Sequence, residues 1–273
     1  MYKVCACIIT YNPDTARLAD NIEMIVRQTS LVIIVDNGSA NYEKIVELKE
    51  ATLGSVLLAR NERNMGIAAA LNRGFSIARN MGFDWCISLD QDSVATPNLV
   101  SSLSKSIRES VAIVCPSLQD RNYKAKSSNS GIHEVQQCIT SGSLTRVYAW
   151  ESVKGFDERM FIDGVDFDFC YRLVENGWKI FQNDTVILIH EIGKITIKKF
   201  LWKTVIIKNH SAMRKYYISR NIIYIAKKRR KPLLLAFAKV IKQSLIVLVY
   251  ENNKIKKTNA ILRGLFDGIK MRP

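Results

Sequence analysis

The chain has 273 residues, 48% hydrophobic and 24% charged, with a net charge of +15. That is material for a sizeable α/β core with an appendage, and it excludes a disordered, fibrous or disulfide-scaffold protein. The charge is uneven: from Lys194 onward 21 Lys and Arg face only Glu251 and Asp267, a net +19 that leaves −4 on the rest, and such a basic segment suits an anionic membrane surface or nucleic acid.

Residues 4–10 form an apolar run that ends in the turn-prone Asn12-Pro13-Asp14, and 31–35 repeat the pattern ahead of Asp36-Asn37-Gly38-Ser39. Both read as buried parallel strands. Between them Leu18, Ile22, Ile25 and Val26 recur at helical spacing within 15–28, completing a βαβ unit. A strand at 55–59, a helix over 66–80 and a strand at 85–89 continue the alternation of an open sheet covered by helices. Ligands of such sheets bind beyond the carboxyl ends of the strands. Residues 10–12, 36–39 and 90–93 all fall at those ends, so three polar loops are expected to converge on one crevice.

Further along, 98–109 read as a helix, 111–115 as a strand and the Ser- and Lys-rich 119–130 as a mobile loop. An acidic-started helix is expected over 161–176 and a strand over 180–190. The six cysteines (Cys5, Cys7, Cys86, Cys115, Cys138, Cys170) are scattered, mostly within apolar runs, so neither a zinc site nor a disulfide framework is expected. The N-terminus runs straight into a strand with no signal-peptide pattern, which predicts a cytoplasmic protein with reduced thiols. Residues 233–250 are strongly apolar but interrupted by Lys239, Lys242 and Gln243, short of the ~20 apolar residues of a membrane span. Following the basic run Lys227-Lys228-Arg229-Arg230-Lys231, they read as a helix lying on anionic lipid. The expected division is a catalytic domain over 1–226 and a basic amphipathic helical tail over 227–273.

Two aspartates flanking one residue at a strand end, Asp90-Gln91-Asp92, can hold a divalent cation that neutralises a diphosphate. Asp36 can accept hydrogen bonds from a nucleobase or ribose, or serve as a turn residue. The start of the helix after Asn64-Met65-Gly66 can meet a phosphate with backbone amides. Residues 155–173 hold five acids interleaved with aromatics; one of them can deprotonate an attacking hydroxyl, while Asp163 and Asp168 can equally cap a helix or pair with Arg172. His190, at a strand end, is a candidate further metal ligand.

These motifs occur together and in one order: Ile9-Thr10-Tyr11-Asn12, Val35-Asp36-Asn37-Gly38-Ser39, Asn64 to Asn72, Leu89-Asp90-Gln91-Asp92-Ser93, Gly155-Phe156-Asp157-Glu158, Phe161 to Arg172, and Ile189-His190. In this the chain resembles family 2 inverting glycosyltransferases, particularly bacterial rhamnosyltransferases of cell-surface polysaccharide synthesis. The resemblance spans roughly residues 4–226 and implies a GT-A fold, a Rossmann-like nucleotide-binding sheet with helices on both faces. It also implies a nucleotide-diphosphate sugar donor and a Mg2+ or Mn2+ ion. By motif matching, Thr10, Tyr11, Asn12 and Asp36 would contact base and ribose, and Asn64, Gly66 and Asn72 would line the nucleotide site. Asp90 and Asp92 would serve metal and diphosphate, Gln91 the sugar, and His190 the metal. The base of similar enzymes is the second acid of a pair; that position here is Asp166, while Val165 replaces the first acid and leaves Asp163 as the alternative base. Arg214 or Arg220 would meet a diphosphate.

The resemblance favours dTDP-L-rhamnose as donor, with a UDP-sugar such as UDP-galactose as the alternative, and a saccharide acceptor, lipid-linked at the inner face of the cell membrane. A nucleic-acid-binding protein is the rival from another class, disfavoured because the acids around Asp166 would repel a phosphate backbone. A nucleotidyltransferase would need a Gly-rich basic loop near the N-terminus, and Thr10-Tyr11-Asn12-Pro13 is not one.

Overall fold

The computed structural model describes residues 2–120, 131–190, 196–200 and 203–273, with side chains left out at 120, 189–190, 196–200 and 203–206. The chain divides into two compact units, one of residues 1–159 and 165–191, the other of 160–164 and 192–273. The second unit includes residues 212–226, which the sequence division places in the catalytic domain.

The first unit is an eight-stranded sheet in the order β3-β2-β1-β4-β7-β5-β8-β6. Its strands are β1 (Val4–Thr10), β2 (Val32–Asp36), β3 (Val56–Arg60), β4 (Trp85–Asp90), β5 (Val111–Asp120), β6 (Ile132–Val135), β7 (Ser143–Arg146) and β8 (Lys179–His190). β1, β2 and β4 are buried along nearly their whole length, as central parallel strands covered on both faces must be. Helices α1 (Thr15–Val26), α2 (Tyr42–Glu50), α3 (Ile67–Asn80) and α4 (Leu99–Ser104) follow β1 to β4 in turn, and α5 (Val147–Ser152) and α6 (Val165–Glu175) lie later in the chain. Asp14 caps α1, its carboxylate accepting from the amides of Ala16 and Arg17. Gly74 on α3 allows close packing on β1, since a Cβ there would stand 2.2 Å from Cys7 Sγ.

Register places the functional edge. Thr10 pairs with Asp36, Asp36 with Arg60 and Ile9 with Asp90, so the ends of four strands lie side by side.

Several expected elements differ. The helix expected over 98–109 is only Leu99–Ser104, and the strand expected at 111–115 runs on to Asp120. The acidic helix starts at Val165 rather than 161, because Phe161, Asp163 and Gly164 all have positive φ, which is incompatible with a right-handed helix. Most of the expected loop over 119–130 lies outside the described residues.

The second unit holds the hairpin β9 (Thr196–Phe200) and β10 (Lys203–Ile207), and helices α7 (Ala212–Lys228), α8 (Leu233–Tyr250) and α9 (Lys254–Lys270). α7 and α9 touch backbone to backbone: a Cβ on Gly264 would stand 2.2 Å from Tyr216 O, and one on Gly268 2.6 Å from Arg220 O. Beside this contact Glu251 is buried between two lysines, each Nζ 2.7 Å from one of its carboxylate oxygens, Lys215 from α7 and Lys257 from α9. Burial works to raise the Glu251 pKa, but the two ammonium groups outweigh it and hold the carboxyl below its usual value.

α8 buries Ala236, Val240 and Val247 and exposes the opposite stripe of Leu234, Ile241, Leu245, Leu248 and Val249. By length and a mean hydropathy of 1.9 it passes for a membrane-crossing helix, with little of it buried. α9 repeats the arrangement with Ile255, Leu262, Phe266 and Ile269 exposed.

Replacing Glu251 by Gln strands two buried ammonium groups and is expected to cost about 3 kcal/mol, seen as a lower urea-unfolding midpoint of the full chain by circular dichroism. Because the folded-state pKa of Glu251 is depressed, its contribution is present above the ordinary carboxyl value of 4.5 and erodes as pH falls below it. An unchanged midpoint would show that the buried cluster does not stabilise the unit.

Candidate active site

The carboxyl edge of β1 and β2 is organised around Asp36, whose side chain is fully buried. A buried carboxylate is costly unless donors surround it, and Asp36 accepts four hydrogen bonds. Thr10 Oγ1 donates to Oδ1 at 3.1 Å, the amides of Gly38 and Ser39 donate to Oδ2 at 3.2 and 3.0 Å, and Ser39 Oγ donates to Oδ1. Asn12 joins the same loop: its amide donates to Ser39 Oγ at 2.8 Å, and its Oδ1 accepts from Ala40 N at 2.8 Å. Gly38, at φ +82, is pressed against the next loop, where a Cβ would stand 2.7 Å from Arg63 Cα.

Asn37 ties this loop to the start of α3. Its Nδ2 donates to Asn64 Oδ1 at 3.0 Å and to Gly66 O at 3.1 Å, and its Oδ1 accepts from Asn61 Nδ2 and Met65 N, each at 3.0 Å. Asn64 Oδ1 also accepts from Gly66 N at 2.9 Å, fixing the positive-φ turn (φ +87) that opens α3. Gly66, at the N-cap, has no side chain to cap that helix, whose start suits an anionic group. Arg60, at the end of β3, stacks over Tyr42 at 4.0 Å.

The Asp90-Gln91-Asp92 loop is held from three sides by backbone contacts. Asn21, fully buried on α1, donates to Asp90 O at 3.0 Å, Arg17 Nε donates to Asp92 O at 2.9 Å, and Ser141 Oγ accepts from Asp90 N at 3.2 Å while donating to Ser93 Oγ at 3.0 Å. Gln91 Oε1 accepts from Tyr11 N at 2.8 Å, joining this loop to the end of β1. Thr10, Tyr11, Asn12, Asp36, Asn64, Gly66, Asp90, Gln91 and Asp92 thus share one edge of the sheet. Tyr11 is exposed there, and Asp90, Gln91 and Asp92 are half-buried.

Asn72, expected at the nucleotide, is engaged with the loop before α6. Its Nδ2 donates to Phe156 O and Glu158 Oε1 at 2.9 and 2.8 Å, and its Oδ1 accepts from Phe156 N at 2.8 Å and Trp150 Nε1 at 3.1 Å. Gly155 makes room for this, because a Cβ there would meet Asn72 Oδ1 at 2.5 Å. The loop delivers the chain to α6, whose first turn carries Asp166 and Asp168. Asp168 is buried and bound by Arg172 Nε at 2.8 Å, and Asp166 is half-buried at the helix start. Cys170, one turn on, lies 3.7 Å from Cys138; the contact with Cys138 and burial push its thiol pKa up.

Asp163 belongs to the second unit, where Arg214 grips it with both arms, Nε to Oδ2 at 3.1 Å and Nη2 to Oδ1. Arg220 Nη2 and Asn221 Nδ2 brace the neighbouring carbonyl of Met160, each at 2.9 Å. The side chain of His190 lies outside the described residues. Asn21, Arg17 and Ser141 were not anticipated; Asn21 alone left a signal, as a polar residue amid the apolar stripe of Leu18, Ile22 and Ile25.

An open, mostly parallel sheet with polar loops gathered at adjacent strand ends and an Asp-x-Asp loop among them is the architecture of GT-A glycosyltransferases. The Glycosyl transferase family 2 model matches residues 5–172, and the chain belongs to that family; it is a glycosyltransferase. It is 28% identical over 292 residues to dTDP-rhamnosyl transferase RfbF of Shigella flexneri, covering 98% of this chain and 96% of that protein. It is 22% identical to the uncharacterized glycosyltransferase MJ1057 of Methanocaldococcus jannaschii, covering 96% and 97%. Among solved structures it resembles the mannosyltransferase PcManGT from Pyrobaculum calidifontis in complex with GDP-Man and Mn2+, at a TM-score of 0.63 and 13% identity over 100% of this chain and 76% of that one. It also resembles S. aureus TarS in complex with UDP-GlcNAc, at 0.56 and 15% over 98% and 73%. These structural likenesses establish the fold.

Asn72→Ala removes the acceptor of Phe156 N and Trp150 Nε1 at once. It is expected to cost about 2–3 kcal/mol and to lower the thermal midpoint in calorimetry, whereas a melt equal to wild type would show that Asn72 does not hold the loop.

Proposed function

We propose that the protein is an inverting rhamnosyltransferase that moves L-rhamnose from dTDP-L-rhamnose to a saccharide acceptor. The observation that carries the donor is the near-end-to-end likeness to dTDP-rhamnosyl transferase RfbF. In this reading the β1–β3 edge takes the nucleotide, with Thr10, Tyr11, Asn12 and Asp36 shaping the base and ribose pocket. Asn64 and Gly66 present the start of α3, and Asn72 supports the far wall.

Mg2+ and Mn2+ take hard oxygen ligands and are often held by one or two carboxylates together with substrate phosphates. The carboxylates of Asp90 and Asp92 fit that chemistry. The donor diphosphate and His190 would complete the ligand set. When bound, the ion neutralises the diphosphate as it departs.

The acceptor hydroxyl oxygen bonds to the anomeric carbon from the face opposite the diphosphate, the carbon–oxygen bond to dTDP breaks, and the hydroxyl proton passes to a carboxylate. Asp166 is that base; Asp163, held by Arg214, has its oxygens already engaged.

The acceptor is lipid-linked, and the second unit rests on the inner face of the cell membrane through α8 and α9. Their exposed apolar stripes are accompanied by Lys239, Lys242, Lys256, Arg263 and Lys270, the pairing of apolar and basic surface that anionic lipid favours.

Purified protein is expected to release dTDP from dTDP-rhamnose in a Mg2+- or Mn2+-dependent manner. Asp92→Ala should weaken donor binding at least tenfold, and Asp166→Asn should bind donor normally yet lose turnover by roughly a hundredfold or more. Turnover only with UDP-sugars would overturn the rhamnosyl reading. Separately, the protein should co-sediment with phosphatidylglycerol vesicles and not with phosphatidylcholine vesicles, and Leu234→Glu/Leu245→Glu should abolish this; equal recovery in both would rule out the membrane placement.

A further inference from the structure

Between the loop held by Asn72 and the first residue of α6 run Met160 to Gly164, and three of these five residues have left-handed backbone: Phe161 at φ +61, Asp163 at +66 and Gly164 at +86. Gly164 takes this conformation freely, whereas a bulky residue such as Phe161 takes it only where its surroundings impose it. Strain of this kind persists only where neighbouring contacts over-determine the backbone, and it gathers at functional sites.

The contacts come from one face of α7, which belongs to the same unit as the turn. Residues 214, 217, 221 and 225 follow at three- and four-residue spacing and so share that face, and each meets the turn. Arg214 takes the Asp163 carboxylate with two nitrogens, and the ring of Tyr217 stacks on that of Phe161 at 4.7 Å and 12°. Ile225 closes over Gly164, where a Cβ would stand 3.2 Å from its Cδ1.

Asn221 is the centre of this face. Its side chain is buried, and Nδ2 donates to the carbonyl oxygens of Met160, Ile162 and Asp163 at 2.9, 2.8 and 2.8 Å. Its Oδ1 accepts from Arg220 Nε at 3.1 Å, and Arg220 Nη2 donates in turn to Met160 O at 2.9 Å, so the amide is held with its donors toward the turn. Carbonyls outside regular structure still need partners, and this one amide serves three of the five in the turn.

The consequence falls on α6. Positive φ at Asp163 and Gly164 keeps the helix from starting before Val165, which puts Asp166 in its first turn. The N–H groups of a first turn have no partners within the helix, so the incoming chain decides how firmly that turn is held. We propose that Asn221, aided by Arg214 and Tyr217, is a positioning residue for Asp166, a role that rests on the glycosyl-transfer reading above. By locking the turn over 160–164 it fixes the helix start from which the base projects. It acts through the backbone of the turn and touches no reacting atom, so binding of the donor nucleotide at the β1–β4 edge does not depend on it.

The test compares the full-length protein with Asn221→Ala and with Ile223→Ala, a buried residue of α7 that faces away from Asn221 and packs with Ala236, Val240 and Ile261. Turnover of dTDP-rhamnose is followed over a range of donor concentrations, and hydrogen exchange over residues 160–168 by mass spectrometry. Asn221→Ala is expected to lower kcat about tenfold or more, to leave the KM for the donor within about twofold, and to speed exchange over 160–168. Ile223→Ala should lower the melting temperature without that split. If Asn221→Ala does not fold, Tyr217→Leu, which removes the stack on Phe161, is held to the same outcomes. An unchanged kcat, a rise in KM that accounts for the lost activity, or an equal loss of kcat in Ile223→Ala would overturn the positioning role. If wild type turns over no nucleotide sugar, the glycosyl-transfer reading fails separately, and exchange decides the lock: faster exchange in Asn221→Ala supports it, and unchanged exchange overturns it.

Discussion

The buried carboxylate of Asp36 accepts from the side chain that ends β1 and from two consecutive backbone amides after β2, and with Ser39 it closes a loop that would otherwise carry unpaired polar groups. Asn37, next in sequence, extends the same network to the turn that opens α3. One short segment therefore sets three loops relative to one another. Because the strands beneath are in fixed parallel register, Asp90 and Gln91 on β4's end are brought to the same edge. The edge is prepared for a ligand before one arrives, so ordering entropy is spent during folding rather than at binding.

The chemistry divides along this sheet. On the β3–β2–β1 side, backbone amides, amide side chains and an uncapped helix start suit a nucleotide; at β4 two carboxylates suit a cation; beyond it α6 brings an acid. Neighbours restrain the groups near the edge: the loop over 155–158 holds the Asn72 side chain, Arg172 holds that of Asp168, and Asn21 and Arg17 hold the backbone carbonyls of Asp90 and Asp92. Asp166 is set at the start of α6 by the Asn72 clamp and by Gly155, whose missing side chain lets the clamp close.

Much of this was legible in the residues. Strands β1, β2 and β4 are continuous apolar runs because both faces are covered, and each is followed by a polar loop that could not be part of the core. β7 was not legible: Ser143-Leu144-Thr145-Arg146 has no apolar run, and it becomes a strand by pairing with β4 and β5 on either side. The start of α6 was misplaced because residue types at 161–164 tolerate a helix, while Asp163 takes a left-handed conformation under the grip of Arg214, 51 residues away. The site motifs were readable as motifs, yet the partners of Asp36 and Asn72 were not, since a sequence shows which groups can bond and not which neighbour reaches them first. The basic tail was visible as charge; that Lys215 and Lys257 turn inward to Glu251 while α8 and α9 turn apolar stripes outward was not.

The central claim is that the loops ending β1, β2, β3 and β4 form one preorganised nucleotide site. Hydrogen-exchange mass spectrometry of the protein with and without dTDP and Mn2+ tests it most directly. The account predicts added protection in peptides covering residues 10–12, 36–40, 61–69 and 90–93, with α8 and α9 unaffected. Protection of the 10–12 and 36–40 peptides no greater than that of the rest of the chain, or protection centred on the helices of the second unit, would contradict it.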